Sequence, residues 1–127
     1  MRLAAQAVVF HEGRLLLLLR GKTAPWAPSR WALPGGYLKR NETPYQGMVR
    51  ELREETDIGG PYAVWPVPQG SPISSLFVVV VPSSRVALLD GEHDEFQWIN
   101  PRDRHRYDLA PGVEPLIQAA LSFVRRQ

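Results

Sequence analysis

The chain has 127 residues, a length that fits one core and excludes two full domains, so we expect a single domain over residues 1–127. Apolar residues make up 44% and charged residues 22%, an ordinary globular balance, and the net charge of +2 is too small to indicate nucleic acid or a membrane as partner. The absence of cysteine excludes disulfides, thiolate zinc sites and cysteine nucleophiles. The longest apolar run, residues 15–19, is too short to span a bilayer and no signal-peptide pattern precedes it, so we expect a cytoplasmic protein.

The first part of the chain has the pattern of short strands joined by turns and one loop. Strands are predicted at residues 3–10 and 14–19, and the second is almost wholly apolar, which is typical of a strand buried on both faces. Prolines mark residues 22–30 as a loop. A short strand follows at 31–33, and the Pro-Gly-Gly of residues 34–36 is predicted to end it as a turn.

The best-marked helix of the chain begins after Thr43. This residue is a suitable N-cap, Pro44 suits the first helical position, and Gln46 completes a capping box. The apolar side chains that follow helical spacing, and that we expect to face the core, are Tyr45, Met48, Val49 and Leu52. The Gly-Gly-Pro of residues 59–61 is predicted to end the helix.

Beyond this helix the pattern predicts more strands and a last helix. The strands fall at 62–67, 73–81, 85–89 and 95–99, and an amphipathic helix falls at 113–124. Strands on both sides of one internal helix, with a second helix last, predict an α/β fold (an α+β sandwich) with a mixed β-sheet between helices.

Three carboxylates share one narrow face of the internal helix. Glu54 and Glu55 lie within about 60° of Glu51 around the helix axis, since each residue advances by about 100°. Gly47 falls on the same face one turn earlier, so we expect nothing bulky to shield the glutamates there. Like charges at this spacing repel, and an isolated acidic turn is usually only a solvated surface. A hard cation such as Mg²⁺, which prefers carboxylate oxygens, would make the cluster favourable.

The sequence around these glutamates resembles the Nudix signature. Gly36 is followed after five residues by Glu42 and, after seven more, by the Arg-Glu-Leu-Arg-Glu-Glu of residues 50–55. One position departs, because Asp57 stands where the signature has a glycine at the end of the helix. Aspartate tolerates left-handed backbone, so we expect the helix to end all the same. The resemblance implies the fold of the Nudix (MutT-type) hydrolases.

The resemblance also implies roles for the matching residues. The ligands it implies for Mg²⁺, or for Mn²⁺ in its place, are the carbonyl of Gly36 and the carboxylates of Glu51, Glu54 and Glu55. Arg50 and Glu42 would hold the loop and the helix together. Hydrolysis would proceed by attack of a metal-activated water on one phosphorus of a diphosphate, with an adjacent carboxylate such as Glu51 or Glu54 taking the proton.

Family members often carry a further acid well after the signature. The candidates are Glu92, Asp94 and Glu95, and the spacing of three residues before Trp98 favours Glu95 as metal ligand or base. Glu92 is the alternative. The segment is otherwise an acidic turn before a strand.

Two residues are candidates for substrate binding. Trp26, in the loop at 22–30, would stack on a nucleotide base, or it would only hold that loop to the surface. Arg20 ends the second strand, where Nudix proteins often place an arginine that faces the substrate.

These features predict a hydrolase that cuts the diphosphate linkage of a nucleoside diphosphate derivative, a small-molecule nucleotide. A nucleoside triphosphate is favoured, followed by a nucleotide sugar or a dinucleotide. The alternatives are a Nudix-fold module that senses a nucleotide without cutting it, and an RNA 5′-end pyrophosphohydrolase, which would need a broader basic surface. Dimers are frequent in the family, so the resemblance also allows a homodimer.

Overall fold

The computed structural model describes residues 2–126, which form a sheet with helices packed on it. The elements in chain order are β1 (Ala4–His11), β2 (Arg14–Arg20), β3 (Trp31–Ala32), β4 (Gly35–Tyr37), α1 (Pro44–Thr56), β5 (Ala63–Val67), β6 (Ser74–Val80), β7 (His93–Ile99), a 3₁₀ helix (Pro101–Arg106) and α2 (Val113–Arg125). No helix within this described range is long and apolar enough to cross a membrane.

The strands form one mixed sheet in which β1 is central. Within residues 2–126 the order is β3-β2-β1-β6-β5, with β4 paired to β1 and β7 paired to β2. β1 and β6 run parallel, whereas the other pairs of strands run antiparallel. Helix α1 packs on one face of the sheet and α2 on the other, each with its own buried core. The predicted fold class, a mixed sheet between helices, is confirmed.

Strand β2 contributes to both cores. Leu15 and Leu17 pack on the α2 side, and Leu16 and Leu18 pack on the α1 side. All four side chains are fully shielded from solvent, as predicted for a strand buried on both faces. Because each buried leucine contributes roughly 1.5–3 kcal/mol, β2 is a principal anchor of the fold.

The start of α1 follows the sequence prediction, and its end comes slightly earlier than predicted. Thr43 Oγ1 accepts a hydrogen bond from the Gln46 backbone N–H at 3.1 Å, and the Thr43 N–H donates to Gln46 Oε1 at 2.9 Å, so the capping box is present. The helix ends at Asp57, whose φ of 60° and ψ of 18° are left-handed. Asp57 therefore serves as the C-cap without a glycine, and it ends the helix before residues 59–61, where the stop was predicted.

Residues 85–89 do not form the predicted strand. Val86 and Leu88 do pack against the core on the α1 side, as alternating apolar side chains would in a strand. The Ala87 N–H, however, donates to the Thr56 carbonyl at 3.0 Å. The last carbonyls of a helix lack partners within it, so the end of α1, and not a neighbouring strand, holds this segment.

Three smaller features also differ from the prediction. Gly35 and Gly36, expected as part of a turn, pair with β1 in strand β4, and the 3₁₀ helix after β7 was not predicted. Tyr45, expected in the core, is half exposed and its ring contacts Phe77 edge-on. Helical spacing identifies the inner face of α1, but it does not reveal that the first turn lies at the margin of the sheet.

Replacing Thr43 with alanine should lower the free energy of unfolding by about 1 kcal/mol, because the side-chain half of the capping box is lost. Urea unfolding of the two proteins measures the difference. Ser122→Ala, at an exposed position of α2, is the control and should change stability by less than about 0.5 kcal/mol. Equal effects of the two substitutions would contradict a stabilising cap at Thr43.

Candidate active site

The buried face of α1 sets the direction of its glutamates. Met48 and Leu52 are completely covered by the sheet and its neighbours. The expectation that Gly47 leaves the glutamates unshielded is wrong, because Gly47 is itself buried. A side chain there would collide with Leu38 and approach the Glu42 carboxylate at 3.1 Å. The loop before α1 therefore closes over the first half of the helix.

Arg50 connects that loop to the glutamates. Its Nε and Nη2 donate to the two carboxylate oxygens of Glu42 at 2.7 and 2.9 Å, and Nη2 also donates to the Tyr37 carbonyl at 3.1 Å. Its Nη1 donates to Glu51 at 2.8 Å and to Glu54 at 3.2 Å. The hydrogen bonds from Arg50 are the main reason that the pKa of Glu42 falls to about 2. One guanidinium thus fixes the loop and orients two helix carboxylates.

Glu51 lies directly against Gly36. A side chain at Gly36 would place its Cβ 2.9 Å from Glu51 Cδ, so only glycine fits there without displacing the carboxylate. Partial burial raises the pKa of Glu51, and the hydrogen bond from Arg50 opposes that rise. The Glu54 side chain is half exposed, so it faces the open side of the cluster.

Glu55 is the most deeply buried carboxylate of the cluster, with 6% of the residue exposed. The Gly35 N–H donates to its Oε1 at 2.9 Å. Burial raises the pKa of Glu55 to about 9, and the nearby charges of Glu51, Asp90 and Glu92 push it in the same direction. The single backbone hydrogen bond does not compensate for this loss of hydration.

Asp90 and His93, which the sequence analysis did not single out, lie beside Glu55. One oxygen or nitrogen atom from each of the three residues lies within 4.8 Å of the other two. His93 reaches this position because the pairing of β2 and β7 shifts register after Leu19, which sets His93 opposite Arg20. No motif marks this pair and no alternation pattern reveals a bulge, so the sequence carries no signal for them.

The structure places Glu95 on the other face of the sheet from Glu55. Glu95 pairs with Leu19, and directly opposed residues of antiparallel strands share a face. That face is the α2 side, because Leu17, two residues before Leu19, belongs to the α2-side core. Glu92, in contrast, is near enough for its charge to raise the pKa of Glu55. Of the two candidate acids, therefore, Glu92 acts on the charge of Glu55, whereas Glu95 lies on the other face of the sheet.

Arg20, at the end of β2, and Trp26, in the loop that follows, contact each other. Arg20 Nε donates to the Trp26 carbonyl at 2.6 Å, and its guanidinium carbon lies 5.3 Å from the centroid of the Trp26 ring. Trp26 is half exposed, so one face of its ring can receive a ligand. Arg20 also lines a pocket of about 420 Å³ whose wall includes Glu92 and Asp94.

The family model of the NUDIX domain matches residues 1–120, and the chain belongs to this family. The predicted family, the Nudix hydrolases, is thereby confirmed, together with the enzyme class. Hydrolases of this family generally use divalent metals, and Glu55, Asp90 and His93 offer oxygen and nitrogen atoms close enough together to hold one.

The relatives include proteins with named nucleotide ligands. The CTP pyrophosphohydrolase of Escherichia coli is 28% identical over 121 residues, which cover 92% of this chain and 89% of the relative. The solution structure of the Escherichia coli ORF135 protein has a TM-score of 0.71 at 28% identity, over 100% of this chain and 93% of that one. The NUDIX domain of Shewanella oneidensis NrtR, complexed with ADP ribose, has a TM-score of 0.76 at 20% identity, over 96% and 87% of the two chains, and so shares the fold.

In the absence of divalent metal, the protein should lose stability as the pH rises from about 5 to about 9. The folded-state pKa of Glu55 lies above its unfolded value, so the folded state keeps a proton that the unfolded chain has already released. The free energy of unfolding should fall by up to about 1.4 kcal/mol per pH unit across this window.

Urea unfolding in EDTA at several pH values measures this slope. Glu55→Gln should flatten it, whereas Glu12→Gln, at a side chain that is 83% exposed, should leave it unchanged. A slope that persists in Glu55→Gln would assign the proton uptake to another group.

Proposed function

We propose that the protein hydrolyses the diphosphate linkage of a nucleoside diphosphate derivative, with a nucleoside triphosphate as its preferred substrate. The observation that carries this proposal is that Glu51, Glu54 and Glu55 lie together on α1 in a member of the NUDIX family, with Glu92 close enough for its charge to raise the pKa of Glu55. Similarity over nearly the whole chain to a CTP pyrophosphohydrolase favours a triphosphate over a nucleotide sugar or a dinucleotide. CTP is therefore the first substrate to test.

The donor set of the cluster fits Mg²⁺, with Mn²⁺ as a substitute. Carboxylate and carbonyl oxygens are the donors that hard divalent cations prefer, and the single guanidinium of Arg50 offsets only part of the negative charge. We assign the cation to the carboxylates of Glu51, Glu54 and Glu55 and to the Gly36 carbonyl, with the late acid Glu92 as a further ligand. When bound there, such a cation neutralises diphosphate charge and makes a coordinated water more acidic.

Glu92 takes the role of late acid in this proposal, in place of Glu95. It borders the pocket and lies close to Glu55, whereas Glu95 is on the far face of the sheet. Water attacks one phosphorus, the bridging oxygen–phosphorus bond breaks, and Glu92 or a helix carboxylate accepts the proton that the water loses. The second phosphate-bearing product leaves with the bridging oxygen.

Arg20 and Trp26 form the substrate side of the site in this proposal. The exposed ring of Trp26 offers a stacking surface for a base, and the guanidinium of Arg20, held against it, adds positive charge at the mouth of the pocket. Arg50 and Glu42 support the site from behind through their paired hydrogen bonds. The homodimer and the cytoplasmic location stay predictions.

The proposal is tested by incubating the purified protein with Mg²⁺ or Mn²⁺ and CTP, other nucleoside triphosphates, nucleotide sugars and dinucleotides, with products identified by chromatography. We expect turnover of a triphosphate that EDTA abolishes. Glu55→Gln and Glu92→Gln should each lower kcat by about 100-fold or more, because a metal ligand or a proton acceptor is lost. Glu95→Gln is the matched control and should stay near the wild-type rate.

Other outcomes would assign a different function or a different residue. A nucleotide that raises Tm without any product would indicate a sensing module. Salt-sensitive binding and release of pyrophosphate from 5′-triphosphate RNA would indicate an RNA-end enzyme. Loss of activity in Glu95→Gln with full activity in Glu92→Gln would return the late acid to Glu95.

Trp26→Ala should raise KM roughly tenfold and lower kcat much less, because base stacking contributes about 1–3 kcal/mol to binding and takes no part in the chemical step. The substitution leaves the Trp26 carbonyl in place, so Arg20 keeps its hydrogen bond. Steady-state kinetics with the best substrate of the panel measure both constants. Trp65→Ala, at another exposed tryptophan on β5, is the control, and an unchanged KM in Trp26→Ala would make its ring purely structural.

A further inference from the structure

Asp90 bonds to two neighbours at once within the turn that carries Glu92. Its Oδ1 accepts from the Glu92 backbone N–H at 3.0 Å, and its Oδ2 lies 3.0 Å from Nδ1 of His93. A carboxylate oxygen accepts this hydrogen bond from the histidine tautomer that carries its proton on Nδ1. The His93 side chain is 2% exposed and that of Asp90 13%, so the pair is shielded from competing water.

The backbone of Glu92 is held on both sides, whereas its side chain is free. Its N–H is bonded to Asp90, and its carbonyl accepts from the Gly21 N–H at 2.9 Å, which ties the turn to the end of β2. In the described part of the chain the Glu92 carboxylate itself makes no hydrogen bond or ion pair. The protein has therefore fixed the position from which this carboxylate projects and left the carboxylate available.

The register shift between β2 and β7 turns the His93 side chain toward the α1 side of the sheet, where Glu55 lies. Arg20 is opposite His93 and Leu19 is opposite Glu95, so Asp94 is the additional residue of the bulge. In an unshifted ladder Asp94 would stand opposite Arg20 and occupy the inward position, since a slip of one residue exchanges the two faces of a strand. Because of the bulge, the residue of β7 beside Glu55 is His93 and not Asp94.

We propose that Asp90 and His93 are a positioning pair that holds the Glu92 backbone so that its carboxylate faces Glu55. The inference rests on the proposed function, in which Glu92 is the late acid. His93 acts through Asp90, because its Nδ1 is engaged by that carboxylate and its ring is buried. Such supporting groups orient metal-binding carboxylates, and their loss weakens metal binding although no ligand is removed.

The test is Mn²⁺ binding to the full, metal-free chain without nucleotide, followed by electron paramagnetic resonance. His93→Leu keeps an apolar side chain in the buried space and removes the hydrogen bond, whereas His93→Asn keeps an N–H donor close to the position of Nδ1. We expect the Mn²⁺ dissociation constant to rise by roughly 10- to 100-fold in His93→Leu and in Asp90→Ala, and to stay within about threefold of wild type in His93→Asn.

His11→Leu is the matched control for loss of a hydrogen-bonded, partly buried histidine. Its Nδ1 contacts the Val81 carbonyl at the far end of β1, so the substitution should lower stability and leave Mn²⁺ affinity unchanged. If His93→Leu does not fold, Asp90→Ala supplies the same comparison. Wild-type Mn²⁺ affinity in His93→Leu or Asp90→Ala would overturn the proposal, and so would a loss in His93→Asn as large as that in His93→Leu, because the ring itself would then be required.

Glu92→Gln, measured in the same way, tests the role of Glu92 as late acid separately from the role of Asp90 and His93 as its positioning pair. If it binds Mn²⁺ and turns over nucleotide like the wild type, the hydrolase activity stands, but Glu92 is not the late acid and the positioning pair fails with it. If the wild-type protein itself turns over no nucleotide, the proposed function fails. If Glu92→Gln is impaired while His93→Leu and Asp90→Ala are not, only the positioning pair is wrong. Impairment of all three, with rescue by His93→Asn, is the expected result.

Discussion

The fork of hydrogen bonds from Arg50 is the contact on which the geometry of the site depends. A planar guanidinium with five N–H donors can hold both oxygens of Glu42 and still reach Glu51 and Glu54, which a lysine ammonium cannot do. The loop before α1 is thereby fixed to the helix, and Gly36 in β4, which precedes that loop, lies against Glu51. The single positive charge of this guanidinium does not balance the negative charges of the carboxylates around it. These carboxylates therefore repel one another, and a bound cation would reduce that repulsion.

Much of the fold was predictable because its determinants are local. The capping box of α1 involves residues three apart, and the five-leucine run of β2 requires that both faces be covered. The left-handed end of α1 at Asp57 was predicted from the tolerance of aspartate for that conformation. Residues 85–89 were not predictable in the same way, because their backbone partner is the distant carbonyl of Thr56.

The same distinction between local and distant determinants applies to the residues of the site. The spacing of Glu51, Glu54 and Glu55 on one helix determines that they lie together, and the sequence shows it. The late acid is different, because the face on which Glu95 lies depends on where β7 pairs with β2 and on one bulged residue, Asp94. Neither register nor bulge is visible in a single strand of alternating character. The Asp90–His93 contact depends on the same bulge, which is why the sequence analysis missed it.

The burial of Leu15 to Leu18 in β2 has a consequence for motion in the protein. Arg20 at the end of β2 reaches the pocket, the backbone of Gly21 just beyond it holds the Glu92 turn, and β7 pairs along its length. Segments with this degree of burial exchange their amide hydrogens only when the whole domain opens. Arg20 and Glu92, which both line the pocket, are thus attached to the part of the domain that opens last. We expect thermal fluctuations to move the tip of the loop at 22–30 rather than to change the distance between Arg20 and Glu92.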